Sequence, residues 1–307
     1  MDTIADLLSQ HFGWISNPTV VIRQALSGVA NGMLLFLISA GLTLIFGVTR
    51  ILNFAHGTMF MFGAYAAFSV AGLAIGGLIG FIVGLLFGTA VLAAIGAGLE
   101  ITLLRPIYKA AHEYQLLLTF GLVLLLGDAV LIVFGNEDHT MSAPSMLTGA
   151  TKIVGVTFPT YRLFLIVAGI GVAVGLWLLL HRTRFGIWTR AATIDRDMLS
   201  ALGVDTKRLY TGVFALGTAL AGFGGVLAAP IIAIGPGLHV QVIIDAFIVV
   251  VIAGMGSVPG AFVASLLVGL VNAFGVLAFP TLAVVLTFAL MALVLVLRPW
   301  GLFGHPE

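Results

Sequence analysis

The stretch from Arg50 to Phe68, RILNFAHGTMFMFGAYAAF, sets an arginine, an asparagine and a histidine within seven residues, beside Gly57. Asn53 can donate and accept hydrogen bonds, and the His56 imidazole can do either and can also hold a proton. An ionisable group at membrane depth costs roughly 2.5–3.5 kcal/mol on the insertion scale and turns toward a bundle interior or water. The chemistry open to this trio is therefore hydration or gating of a polar path. Gly57 and Gly63 permit a break or a close helix approach, and freed backbone is tolerated only where protein or water satisfies it. Other polar side chains inside apolar runs are Asn31, Asp128, Asp245 and Asn272, with Glu100 near the end of one run. Each is either path-lining or simply buried against a neighbouring helix, and the second reading is the commoner. Asn53 and His56 stand apart because they come together.

No catalytic constellation accompanies them. None of the three lysines, Lys109, Lys152 and Lys207, has the glycine setting of a phosphate loop, and no H-E-x-x-H occurs. The seven histidines show no metal spacing, and the absence of cysteine excludes disulfides and thiolate sites. Asp128 and Asp245 are far apart in sequence, so no carboxylate pair is visible. The expectation is a chain without metal or cofactor that is not an enzyme; if it serves ATP-driven transport, the motor is a separate chain.

These residues must be positioned by membrane helices. The 307 residues are 61% hydrophobic and 8% charged, whereas a soluble domain carries about 25% charged residues. The sequence predicts an all-α, polytopic bundle of eight or nine transmembrane helices. Nine crossings are read at about 24–48, 54–73, 77–103, 115–135, 161–180, 209–230, 242–257, 260–278 and 281–297. With eight, the segment after Arg50 is re-entrant. Breaks fall at Gly72 to Gly77, at Pro230 to Gly237, and at GSVPG, Gly256 to Gly260. With the amino terminus outside, Arg50, Arg105, Lys109, Arg182, Arg184, Arg190, Arg196, Lys207, Arg208 and Arg298 face the cytoplasm, and only Arg23, Lys152 and Arg162 lie outside. Net charge of +1 points to no nucleic-acid partner. GAYAAF, Gly63 to Phe68, and GAFVAS, Gly260 to Ser265, echo each other and suggest an internal repeat.

Residues 1–18 lack the basic region of a signal peptide and read as a short amphipathic segment on the lipid surface. Residues 19–307 then form one transmembrane domain. The loop 136–160 is external and suits either a connector or contact with an outside partner. The cytoplasmic segment 181–208 reads as an amphipathic helix of about four turns from Trp188 to Leu202. Ile194, Met198, Leu199 and Leu202 make its apolar face, while Arg190, Asp195 and Arg196 lie elsewhere. Gly203 ends this helix and Asp205 caps the next one. Such a helix can lie on lipid or dock in a partner's groove.

GLTLIFGVTRILNFAHGTMFMFGAYAAF, Gly41 to Phe68, resembles the signature of branched-chain amino-acid ABC transporter permeases of the LivH type. RAATIDRDMLSALGVDTKRL, IAGMGSVPGAFVASLLVGLVNAF and the terminal LRPWGLFG match the same pattern. The resemblance implies one of two permease subunits in a bacterial inner-membrane importer. Its partners would be a second, LivM-like permease, two cytosolic ATPases and a periplasmic solute-binding protein. The resemblance places a coupling helix for the ATPase at Arg190 to Gly203, although the E-A-A…G form of other importers is not intact. Related permeases carry urea, amides, other amino acids or aromatic acids, so the implied substrate is a branched-chain amino acid or such a relative. The rival is an ion-coupled carrier or channel, for which the sequence offers only isolated carboxylates. On either reading the path candidates are Asn53, His56, Gly57, Asn31, Asp128 and Asp245.

Overall fold

The structure, a computed structural model, describes residues 13–72, 77–153 and 155–304. The expected surface helix over residues 1–18 falls mostly outside these; within them, Gly13–Ser16 form one 3-10 turn. In hydrocarbon each backbone N–H and C=O must be paired inside its own segment, so apolar runs become helices. The described residues form α1 Pro18–Thr49, α2 His56–Gly72, α3 Gly77–Leu99, α4 His112–Phe134, α5 Thr160–Arg182, α6 Arg184–Ile194, α7 Arg196–Ala201, α8 Thr206–Ala228, α9 Leu238–Ala253, α10 Val258–Ala278 and α11 Ala283–Leu297. Polar residues mark their starts. Asn17 accepts from the Thr19 amide ahead of α1, Asp205 from Arg208 ahead of α8, and Ser257 from Gly260 ahead of α10.

Seven helices are long and apolar enough to cross a bilayer; α2 and α9, with 17 and 16 residues, are shorter. The two ends of the bundle are nonetheless well defined. At the basic end Arg50 meets Thr193, Gly47 packs on Gly256, and the Arg105 guanidinium reaches the Lys207 carbonyl. At the other end Phe68 stacks on His139, whose backbone pairs with Ile234, and the Gln24 side chain meets the Ala273 carbonyl. The long helices run from one end to the other. The segment after Arg50 therefore passes through the bundle and does not turn back as in the eight-span alternative. By the charge rule the basic end is cytoplasmic.

The two short helices begin inside the bundle. His56, the first residue of α2, lies 3.0 Å from the Ile38 carbonyl, about 17 Å below the cytoplasmic end of α1. The chain reaches that depth without helix: the Leu52 carbonyl accepts from Thr119 on α4 at 3.2 Å. From the other side, α8 ends at Ala228 and residues 229–237 turn back inward to start α9 at Leu238. The His239 carbonyl then walls off Gly57. Helices α2 and α9 thus start at mid-depth, run in opposite directions and meet near their amino ends. Phe54, in the first irregular segment, packs on Phe247 of α9 with centroids 5.0 Å apart, while Ile234, in the second, packs with Met61 and Tyr65 of α2. The GAYAAF and GAFVAS echo corresponds to no such relation. Gly63 is mid-helix against the Gly222 carbonyl, whereas Gly260 lies in the first turn of α10.

Small residues hold the core. Gly28 and Gly32 of α1 meet Leu270 and Ser265 of α10, and Gly269 returns against Gly28. Gly225 of α8 rides on the Phe60 carbonyl of α2, where an added methyl has no room. Such contacts let backbones approach where no hydrophobic driving force separates helix from lipid. The outer loop is more structured than a plain connector: β1 Ala150–Ile153 pairs antiparallel with β2 Val156–Pro159, Thr151 opposite Phe158.

The cytoplasmic segment departs from the single four-turn helix. It is two helices, α6 and α7, broken at Asp195, which sits at φ −148° and accepts from the Asp197 and Met198 amides at 2.9 Å each. Asp195 is a cap, because a carboxylate beside free amides competes with continued helix. The expected ends hold: Gly203 adopts φ +84° after α7, and Asp205 caps α8.

Candidate functional site

The mid-depth junction gathers buried polar atoms. His56 is 0% exposed and Asn53 2%. The Ile38 carbonyl can only accept, so His56 donates through Nε2, and its Nδ1 makes no hydrogen bond within the chain. Asn53 Oδ1 is equally unpaired, as are Ser39 Oγ and Thr43 Oγ1 on α1. Buried polar atoms without partners are rare and costly, about 1–3 kcal/mol each. Neither Asn53 nor His56 opens on the surface of this chain; both stand behind the wall formed by α1, α2 and α9. Gly57 serves close approach, since a side chain there would strike His239 and Ile243.

A different set of polar residues faces outward. Asp128 on α4 and Gln241 on α9 are exposed, with Asp245 half-buried on α9. The two helices approach at Gly127, whose added Cβ would lie 3.4 Å from the His239 ring. Around Asp128 the same face of α4 shows Leu117, Leu124, Leu125 and Ile132. Asn31 and Asn272 are half-buried on α1 and α10. The junction and the outward stripe are thus two layers, one enclosed and one open, on either side of α9. Sequence reasoning missed His239 and Gln241. A signal existed: PGLH at the start of α9 repeats the pattern of NFAHG at the start of α2, a break followed closely by histidine.

At the cytoplasmic end the apolar face of the segment splits. Leu199 is buried at 4%, whereas Ile194, Met198 and Leu202 are 87%, 60% and 75% exposed. Arg190 is exposed, yet its Nη1 donates to the Leu180 carbonyl at 2.5 Å and braces α6 on α5. Arg196 is half-exposed, 3.6 Å from Asp197. Arg50 links this segment to the α1–α2 break through Nη2 and the Thr193 carbonyl at 3.1 Å. It is the one non-glycine residue with positive φ, 59°, among the described residues.

Beside it, Glu100 opens a π-helical turn, Glu100–Leu104, at the end of α3. Its side chain is fully buried and takes Arg105 at 2.7 Å, Thr211 at 2.8 Å and Tyr108 at 2.9 Å. Burial, with the Glu100 carboxylate next to it, pushes the Tyr108 phenol up, so it remains a donor. This network ties α3 to the start of α8, directly after the cytoplasmic segment.

Fold and site together define a class: a multi-pass integral membrane bundle with discontinuous helices at mid-depth, the architecture of a transport protein. A family model described as "Branched-chain amino acid transport system / permease component" matches residues 24–295, and the chain belongs to that family. Relatives span most of the chain. It is 31% identical over 296 residues to the high-affinity branched-chain amino acid transport system permease protein BraD of Pseudomonas aeruginosa, covering 93% of this chain and 96% of that protein. It is 29% identical over 298 residues to the LivH permease of Escherichia coli K12, with the same coverage. A probable LivH permease of Methanocaldococcus jannaschii is 26% identical over 297 residues, covering 88% of this chain and 89% of that protein. No solved structure matches.

Proposed function

We propose that the chain is the permease subunit of an ATP-driven, binding-protein-dependent importer that carries branched-chain amino acids across the inner membrane into the cytoplasm. Its partners on this reading are a second, LivM-like permease, two cytosolic ATPases and a periplasmic binding protein. ATP enters only through the ATPase chains. Family membership supports the transport role, and the relatives' names supply the substrate class.

One observation carries the mechanism: Asp128 is exposed on the outer face of a membrane helix. A carboxylate at that depth does not face lipid, so another chain or water covers it. The α4–α9 face then lines the path between two permease subunits, with Asp128, Gln241 and Asp245 wetting it. Asn53 and His56 act one layer behind, holding the start of α2 in a movable state with unused hydrogen-bonding capacity. Ile194, Met198 and Leu202 enter a groove of the ATPase, and Arg50 passes movement of Thr193 to the α1–α2 break.

The chain has no cysteine, so single substitutions report directly. In the assembled, ATP-cycling transporter, Asp128→Cys and Gln241→Cys react with a water-soluble maleimide, while Val296→Cys on α11 does not. An unreactive Asp128→Cys places the path elsewhere. Serine at Ile194, Met198 and Leu202 together lowers recovery of the ATPase with the permease; full recovery removes that docking site.

A further inference from the structure

At the cytoplasmic end a cavity of about 310 Å³ opens between the end of α1, the start of α4 and the α6–α7 break. Arg50, His112 and Arg196 line it, with Gln115, Thr193 and Tyr108, and no carboxylate is among its lining residues. The chain brings these groups from positions 50, 112 and 196, so their meeting is a product of the fold. Several features make the pocket a built one. Arg50 holds a backbone conformation that costs a non-glycine residue about 1–2 kcal/mol, and strain of this kind persists where the surroundings over-determine it. Its guanidinium is oriented by the Thr193 carbonyl, which uses one of its five N–H groups. The Gln115 amide is fixed by the carbonyls of Ile107 at 3.2 Å and Ala110 at 3.3 Å, which stiffens the wall. The nearest carboxylate to Arg196 is Asp197, 3.6 Å away and 91% exposed, where solvent screens it.

Two guanidiniums facing one cavity favour an anion between them, and the His112 imidazole adds a hydrogen-bonding group to the lining. Guanidinium forks match the oxygens of a phosphate group bidentately. The pocket also lies at the cytoplasmic end of the bundle, the level at which basic pockets between membrane helices take anionic head groups. We propose that this cavity binds a phosphate-bearing anion, bridging Arg50 and Arg196 and so joining the α1–α2 break to α7. A lipid head group and free phosphate present the same chemistry, and the experiment separates them.

The test uses the purified full chain. Retention of phosphatidylglycerol against phosphatidylcholine is measured by native mass spectrometry, and binding of inorganic phosphate by phosphorus NMR line broadening. The wild type retains phosphatidylglycerol over phosphatidylcholine, or binds phosphate, or both. Phosphatidylglycerol alone identifies the lipid as the source; both probes together identify the phosphate group itself. The double substitution Arg50→Gln, Arg196→Gln lowers binding by about tenfold or more, and the single His112→Gln lowers it less. Arg23→Gln, at the opposite end, leaves it unchanged. Equal retention of the two lipids with no phosphate binding overturns the proposal, as does binding that survives in the double variant.

Discussion

Replacing Arg50 by glycine removes a guanidinium and relieves a strained backbone in one step, and the two effects act on different observables. Arg50 ends α1 at φ 59° and ψ 17°. A side chain in that region costs about 1–2 kcal/mol, which glycine does not incur. Against this stand the lost hydrogen bond to the Thr193 carbonyl at 3.1 Å, about 0.5–1.5 kcal/mol for a typical bond, and the larger unfolded-state entropy of glycine, about 0.4–1 kcal/mol. The terms nearly cancel, so Arg50→Gly leaves stability within about 1 kcal/mol of wild type, a midpoint shift of about 2–4 °C at most. Transport responds differently, because on the proposed mechanism Arg50 carries motion from Thr193 to the α1–α2 break. Thermal unfolding of the purified chain and ATP-driven uptake in proteoliposomes, measured on the same preparation, separate the two. The expected result is an unchanged midpoint with severalfold lower uptake per ATP hydrolysed, and Arg50→Lys falls between, since an ammonium keeps the charge without the fork. Normal uptake by Arg50→Gly refutes the link. A midpoint lower by more than about 8 °C refutes the strain argument instead.

Three further perturbations test the packing around the site. Gly225→Ala drives a methyl into the Phe60 carbonyl of α2 and lowers stability by about 1–3 kcal/mol through overpacking; an unshifted unfolding midpoint contradicts the close approach of α8 and α2. In the Glu100–Arg105 pair, Glu100 is fully buried and Arg105 is 29% exposed. Arg105→Gln therefore strands a buried carboxylate and costs about 3–5 kcal/mol, more than Glu100→Gln at about 1–2 kcal/mol, and the reverse order in denaturation refutes the asymmetry. Asp195→Ala removes the α7 cap at about 1 kcal/mol and exposes residues 195–203 to proteolysis, while Asp195→Asn retains protection; equal cleavage of both variants removes the capping role.

Much of this protein is legible in its sequence. Hydrocarbon permits little but helix, so the apolar runs located the membrane helices within a few residues, and the arginine and lysine positions set their direction. Glycine and proline placed the breaks after Gly72, before Leu238 and at Gly256, and short-range capping by Asp205 followed from chemistry a few residues away. The break at Asp195 is not legible because the amphipathic spacing is the same for one helix or two; only the competition between the Asp195 carboxylate and the preceding carbonyls for the Asp197 and Met198 amides decides, and that is settled locally in three dimensions.

The sequence by itself determined that the chain is a membrane bundle, how it threads and which residues could break a helix. Tertiary structure decided where those residues went. It enclosed Asn53 and His56 at mid-depth, turned Asp128 and Gln241 outward, tied Arg190 to the Leu180 carbonyl, and brought Arg50, His112 and Arg196 around one cavity. The physical reason is that polarity and periodicity are properties of a segment. Which face of a helix meets protein, water or another subunit depends on small-residue contacts such as Gly28 on Leu270 and Gly225 on Phe60. These join segments far apart in the chain, and no single segment encodes them.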